Sequence, residues 1–107
     1  MAVIELLKSL SKTPQNLVII NQTMRSVTSM GANDQEADGA SSRKDFLHCY
    51  TLVRKEGKET VFWLRLIRST NSGQILPEKT SELITEGSEI VAIVSSIINR
   101  TASINRK

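Results

Sequence analysis

The sequence is poor in residues that break helices or build covalent sites. Two prolines, five glycines and a single cysteine occur in 107 residues. One cysteine excludes an internal disulfide, and one histidine leaves no Cys/His spacing typical of a zinc site. No segment shows the period-two alternation of apolar and polar residues that predicts a strand. These absences indicate an all-α protein of a reducing compartment, and we expect it to be cytoplasmic.

The composition is that of one mildly basic globular domain. Apolar residues make up 39% of the chain and the formal net charge is +3. Such a charge permits an anionic partner without requiring one. The apolar runs near both ends are interrupted, by Glu5 and Lys8 and by Ser95 and Ser96. Both fall well below the roughly 20 residues of a transmembrane helix, so we expect no signal peptide and no membrane contact.

Apolar periodicity and capping residues divide the chain into four helical segments. Thr13 is a good N-cap followed by Pro14, and Pro77 opens the last segment in the same way. Ser42, with Asp45 three residues later, resembles a capping box. We therefore predict an antiparallel up-down four-helix bundle. The expected helices, within a single domain of residues 1–107, span about 2–10, 14–38, 42–69 and 77–103.

The third helix carries a line of cations, here called the basic stripe. At about 100° per residue, five basic side chains share one helical phase. Such a line is suited to following the phosphates of RNA or DNA. The alternative is a solvated face that keeps the protein soluble. The basic stripe consists of Arg43, Arg54, Lys58, Arg65 and Arg68.

The same helix has an apolar flank that is wider than a bundle core requires. An uncovered flank of this size favours self-association, because monomers rarely expose so much contiguous apolar surface. The alternative is that part of it packs on the fourth helix. The candidate oligomer interface, here called the apolar flank, consists of Leu52, Phe62, Trp63 and Leu66.

Polar residues follow one row beside the apolar seam of the second helix. An arginine of this row and a glutamate of the neighbouring helix can form a partly buried pair, which fixes helix register more than it adds stability. We interpret these residues as a structural polar row. The row comprises Arg25, Ser29, Asn33 and Glu36 on the second helix, facing Glu56 and Glu59 on the third.

The sequence offers no catalytic signature. A di-iron bundle needs two Glu-x-x-His elements, and only Asp45-x-x-His48 resembles one. Cys49 follows His48 directly, and consecutive helix positions point about 100° apart, so a small core residue is the expectation for Cys49. No phosphate-binding loop or nucleophile elbow is present. We expect no enzyme activity, no catalytic residue, no metal and no cofactor.

Three ordered blocks resemble the four-helix bundle proteins associated with intervening sequences of 23S ribosomal RNA genes. The blocks read RSVTSMGAN, EADGASSRKDF and RKEGKETVFWLRLI, and the close resemblance covers about Leu17 to Leu66. The matching positions are Arg25, Ser26, Ser29, Gly31, Ala32, Asn33, Glu36, Lys44, Phe46, Glu56, Glu59 and Trp63.

This chain departs from the family pattern at two positions and in its first helix. Asp34 stands where the family usually has an apolar residue, and Gly57 where it has alanine. A glycine inside a helix costs roughly 1 kcal/mol relative to alanine, so we expect local weakness at Gly57. The first helix looks short, which would shrink the core and raise dependence on partners.

The resemblance implies a homo-oligomer, with a pentameric ring as the leading expectation, and no defined cellular role. The family is also similar to the accessory variability protein of diversity-generating retroelements, which works with a reverse transcriptase and nucleic acid. The sequence therefore predicts a non-enzymatic homo-oligomeric scaffold associated with RNA or DNA. A reverse transcriptase or another protein is a further candidate partner. The alternative is a protein-binding adaptor with no nucleic-acid contact.

Overall fold

Four α-helices account for nearly all of the chain. The structure is a computed structural model and describes residues 2–105, with side chains through residue 104. No strand occurs within that range, so the predicted all-α helical bundle is confirmed. The helices are α1 (Ala2–Ser9), α2 (Pro14–Asp38), α3 (Arg43–Thr70) and α4 (Pro77–Asn105).

Side-chain caps begin the two central helices. The Thr13 hydroxyl accepts a hydrogen bond from the Asn16 backbone N–H at 3.1 Å, with Pro14 in the first turn. At α3 the Ser42 hydroxyl accepts from the backbone N–H of Asp45 at 3.1 Å. Each cap satisfies a backbone donor that the first helical turn leaves unpaired. The local sequence therefore determines where α2 and α3 begin.

Helix α3 lies between α2 and α4 and runs antiparallel to both. Arg25 of α2 pairs with Glu56 of α3, and Asn16 of α2 pairs with Asn71, which directly follows α3. The lower residue number of α2 is thus matched with the higher residue number of the partner, as in antiparallel helices. Arg68 likewise meets Ser81 of α4. The main core cluster is built from all four helices and the α3–α4 link. Its buried members are Leu6, Leu7, Leu10, Ile19, Val61, Leu64, Ile67, Ile75 and Ile84.

Two asparagines tie together the links at one end of the bundle. The Asn16 side-chain amide donates to Asn71 Oδ1 at 3.0 Å, and the Asn71 amide donates back to Asn16 Oδ1 at 3.2 Å. Asn16 also donates to the Ser11 carbonyl at 2.9 Å. Both residues are buried, and a buried amide is costly unless it is paired. This reciprocal pair therefore holds the α1–α2 link against the α3–α4 link.

The first helix is only about a third as long as the second. With 8 residues, α1 is about 12 Å long, against about 37 Å for the 25 residues of α2. Beyond α1 a cavity of about 600 Å³, here called the open groove, runs between α2 and α4 with α3 as its floor. Its apolar lining includes Val27 and Gly31 of α2, Val53 and Gly57 of α3, and Ile90 and Val94 of α4.

Glycines allow α3 and α4 to approach closely. A Cβ at Gly57 would lie 3.0 Å from Val91 Cγ2 and 3.3 Å from Met30 Cε, and a Cβ at Gly87 would lie 3.0 Å from Val61 Cγ2. Such distances are tighter than ordinary van der Waals contact, so an alanine would require its neighbours to shift. The helix runs through Gly57 without a break. The glycine at position 57 thus has a packing reason that the sequence pattern did not reveal.

We predict that Leu64→Ala lowers the free energy of unfolding by about 2–5 kcal/mol, because it leaves a cavity in the main core cluster. Leu64 is 1% exposed, whereas Leu76 is 61% exposed. The matched control Leu76→Ala should change stability by less than about 0.5 kcal/mol. Urea unfolding followed by circular dichroism measures both. Similar losses for the two variants would contradict the placement of this core.

Candidate functional site

Arg25 bridges α2 and α3 through two glutamates. Its Nη1 donates to Glu56 Oε2 at 2.9 Å, its Nη2 contacts Glu59, and its Nε donates to Gln22 Oε1 at 3.1 Å. The Glu56 side chain is 9% exposed and that of Arg25 is 48% exposed. A buried carboxylate beside a half-exposed guanidinium suits a contact that fixes register between helices rather than a reactive centre.

The other residues of the polar row do not form one connected network. The Asn33 amide donates to the Ser29 carbonyl at 2.9 Å, so these two residues bond within α2. Glu36 is exposed. Glu59 accepts a second bond from the indole N–H of Trp63 at 3.3 Å. The structure thus joins Arg25 to both predicted glutamates and leaves Glu36 on the surface.

A buried hydroxyl pair at the same interface was missed by sequence reasoning. Ser26 Oγ and Thr60 Oγ1 lie 2.8 Å apart, and both residues are buried. Each hydroxyl also lies within hydrogen-bond distance of a carbonyl of its own helix: Ser26 Oγ is near the Thr23 carbonyl, and Thr60 Oγ1 is near the Glu56 carbonyl. The available signal is a small hydroxyl residue at a core-facing position on each of two adjacent helices.

The basic stripe does not present five equivalent cations. Lys58 and Arg65 are exposed, as is Arg43, whereas Arg54 and Arg68 are half-buried. Arg68 Nη1 donates to the Ser81 hydroxyl of α4 at 3.2 Å, so it faces the neighbouring helix. Two exposed lysines outside the predicted stripe, Lys44 and Lys55, lie on the outward side of α3. The stripe was centred too close to α4 because a helical wheel alone does not say where the neighbouring helices pack.

The apolar flank is only partly exposed. Phe62 is 55% exposed, while Leu52, Trp63 and Leu66 are half-buried. Trp63 and Leu66 pack against the main core cluster. The rings of Phe62 and Trp63 meet edge to face, with centroids 4.9 Å apart. Packing within the chain therefore covers part of this flank, and Phe62 is its exposed member, between Lys58 and Arg65.

Asp34, a departure from the family pattern, has a partner on α3. The Tyr50 hydroxyl donates to Asp34 Oδ1 at 3.1 Å, and the Tyr50 ring stacks on Phe46 with centroids 4.6 Å apart. Burial, and then the bond to Asp34, raise the pKa of the Tyr50 phenol above its usual value. Like an ordinary tyrosine, the phenol is protonated at neutral pH, and it donates to the carboxylate. This contact gives the Asp34 carboxylate a hydrogen-bond partner on α3.

Two further properties bear on the kind of site. Within residues 2–105, no three His, Cys, Asp or Glu side chains lie together as metal ligands would. None of the described helices combines the length and apolar character needed to cross a membrane.

The chain belongs to the 23S rRNA-intervening sequence protein family, whose model matches residues 1–96. A crystal structure from the S23 ribosomal protein family of Bacteroides thetaiotaomicron, a protein with unknown function, is similar in fold and sequence. The two share 36% identity over 91% of this chain and 90% of that one, with a TM-score of 0.79. No curated protein sequence matches significantly. The predicted family is thus confirmed.

We predict that Arg25→Ala lowers the free energy of unfolding by about 1–3 kcal/mol, because the buried Glu56 carboxylate loses a charged partner. The loss should stay below the roughly 3–5 kcal/mol typical of a fully buried pair, since Arg25 is half-exposed. The control Arg65→Ala removes an exposed arginine and should cost less than about 0.5 kcal/mol. Denaturant unfolding compares them, and an equal effect would place Arg25 outside the interface.

Proposed function

We propose that this protein is a non-enzymatic, cytoplasmic, homo-oligomeric helical bundle that acts as a scaffold for RNA or DNA. The observation that carries the proposal is the outward side of α3, where exposed Lys58 and Arg65 flank exposed Phe62. Cations contact phosphates, and an exposed ring can stack on an unpaired base. The absence of a nucleophile–base pair in the sequence supports a non-catalytic role.

The balance of exposed charge differs between α3 and α4 in a way that supports this choice. The exposed charges of α4 are four glutamates and two cations, Lys79 and Arg100, whereas the outward side of α3 carries exposed lysines and arginines. A net charge of +3 is too small to attract nucleic acid over the whole surface, so a local concentration of cations matters. The glutamates are Glu78, Glu82, Glu86 and Glu89.

Self-association strengthens the same proposal. A few cations on one chain give weak, non-specific attraction, and an oligomer multiplies the phosphate contacts that one strand can make. We propose a ring, with five copies as the leading stoichiometry, because the resemblance that first indicated the family implies one. Repeated copies of the α3 face would then bind with steep salt dependence and little preference for sequence.

The second candidate function is a protein-binding adaptor. The open groove supports it, since an apolar cavity of about 600 Å³ between two helices is a suitable seat for a partner's helix. An adaptor would not depend on the cations of α3, and this difference separates the two candidates.

We predict that the double variant Lys58→Gln, Arg65→Gln weakens nucleic-acid binding, because it removes phosphate contacts from the outward side of α3. The matched control Lys8→Gln, Lys79→Gln removes the same charge from exposed positions on α1 and α4. Fluorescence anisotropy with labelled single-stranded RNA and with duplex DNA, at about 50 mM salt, measures both. The first variant should also reduce the slope of binding against salt.

Two outcomes would contradict the nucleic-acid proposal. In the first, the two double variants bind alike, so that the position of the charges does not matter. In the second, the parent shows no binding at low salt. Either result would place the adaptor ahead.

We predict a solution mass several times the 11.9 kDa of one chain. Light scattering coupled to size-exclusion chromatography, run over a hundredfold range of micromolar concentrations, measures it. The physical reason is that the chain leaves large apolar side chains exposed that a stable monomer would cover. A mass of one chain at every concentration would overturn the homo-oligomer.

A further inference from the structure

Helix α3 carries one continuous row of exposed residues along its outward side. The members follow one another at alternating spacings of four and three residues, so they share one side of the helix. At 1.5 Å per residue, the row is about 32 Å long from its first lysine to its arginine. The row, here called the α3 row, consists of Lys44, His48, Thr51, Lys55, Lys58, Phe62, Arg65 and Ser69.

The acidic residues of α3 all lie off this row and have partners within the chain. Asp45 accepts a hydrogen bond from the Ser41 hydroxyl at 3.0 Å, and Arg25 holds both Glu56 and Glu59. The row itself contains three lysines, one arginine and no carboxylate. A chain of phosphates lying along it would therefore meet cations without a negative charge among them.

Phe62 is the only ring in the α3 row besides the imidazole of His48, and it is 55% exposed. Lys58 lies about one turn before it and Arg65 about one turn after it. The phenyl ring thus stands between two side chains that can each hold a phosphate. In an unpaired strand the bases project from the backbone between its phosphates, where one of them can stack on an aromatic ring.

A chain of contacts that begins on α2 holds the ring of Phe62 in place. Arg25 contacts Glu59, and Glu59 accepts a hydrogen bond from the Trp63 indole N–H at 3.3 Å. The indole meets the Phe62 ring edge to face, with centroids 4.9 Å apart. In such a pair at most one face of the phenyl ring is in contact, so the other face is free of Trp63. A ring fixed in advance loses little conformational freedom when a base stacks on it.

This geometry distinguishes an unpaired strand from a duplex. Each base of a duplex already stacks on neighbours at both faces, so Phe62 could reach one only by unstacking it, which costs free energy. The α3 row is also straight, and a flexible single strand can lie along it. The phosphates of a duplex wind around a rod instead, so fewer of them would meet one straight line of cations.

We infer that the α3 row binds an unpaired strand of RNA or DNA, with phosphates on its lysines and arginine and a base stacked on Phe62. The inference rests on the proposed nucleic-acid function and names the substrate class of that same surface. Trp63 acts as a positioning residue for the ring. Each copy of the chain carries the complete row, so the site does not depend on the number of copies in an oligomer.

The first test removes the ring and keeps an apolar side chain. Phe62→Leu in the full chain should weaken binding of single-stranded RNA and single-stranded DNA of one sequence by at least about fivefold. Binding of a duplex of that sequence, and of an abasic single strand, should not change. The salt dependence should keep its slope, because no phosphate contact is lost. The control Phe62→Tyr keeps a ring and should keep the affinity of the parent. Fluorescence anisotropy measures all four probes.

The second test uses the indole beside the ring as a reporter. Trp63 is the only tryptophan of the sequence, so the fluorescence of the unlabelled parent reports on this position. A base stacked on Phe62 lies close to the indole, and a bound single strand should therefore quench it. The duplex and the abasic strand, each added to saturation, should leave the fluorescence unchanged. At equal saturation with the single strand, Phe62→Leu should show less quenching than the parent.

The outcomes separate this inference from the proposed function. A parent that binds none of the probes at about 50 mM salt would overturn both. A parent that binds single strands and duplex alike, with no loss in Phe62→Leu, would overturn the inference alone and leave a scaffold that contacts only phosphates. Light scattering supplies the last check: a lower mass for Phe62→Leu would mean that the ring packs between copies, which would also overturn the inference.

Discussion

The close contact of α3 with α2 and α4 is the constraint on which the rest of the structure depends. At the α2 interface, Ser26 and Thr60 bring their hydroxyls to 2.8 Å, and no bulkier pair would allow that approach. At the α4 interface, Gly57 leaves room for Val91. Because α3 is held on two sides, its remaining side must face outward, and this determines that Lys58, Phe62 and Arg65 reach the surface.

Local signals explain why the helices could be predicted from the sequence. Caps at Thr13 and Ser42 and prolines at Pro14 and Pro77 act within one turn, so they need no knowledge of the fold. Orientation between helices is a different matter. A helical wheel gives the relative directions of side chains within one helix. Which of those directions is buried depends on where the other helices of the bundle pack. The partial burial of Trp63 and Leu66 and the contact of Arg68 with α4 belong to this second kind.

The predicted polar contacts show the same division. Arg25 could be matched to Glu56 and Glu59 because a long cationic side chain finds a carboxylate on the adjacent helix over a range of packing angles. The bond between Ser26 and Thr60 depends on short side chains and on a close helix approach, which a sequence does not state. The sequence marked Asp34 only as a difference from the expected family pattern. Its contact with Tyr50 depends on the register of α2 against α3, which only the structure gives.

The short α1 connects the fold to the proposed function. A first helix as long as α2 would fill the open groove and cover the isoleucines of α4. In the described residues α1 is short, and the apolar lining of the open groove between α2 and α4 is uncovered. On α3, the outward side is opposite the side that lines the open groove. A helix seated in the open groove would therefore leave the cations of α3 exposed, so the adaptor and the nucleic-acid proposals concern different surfaces of one small bundle.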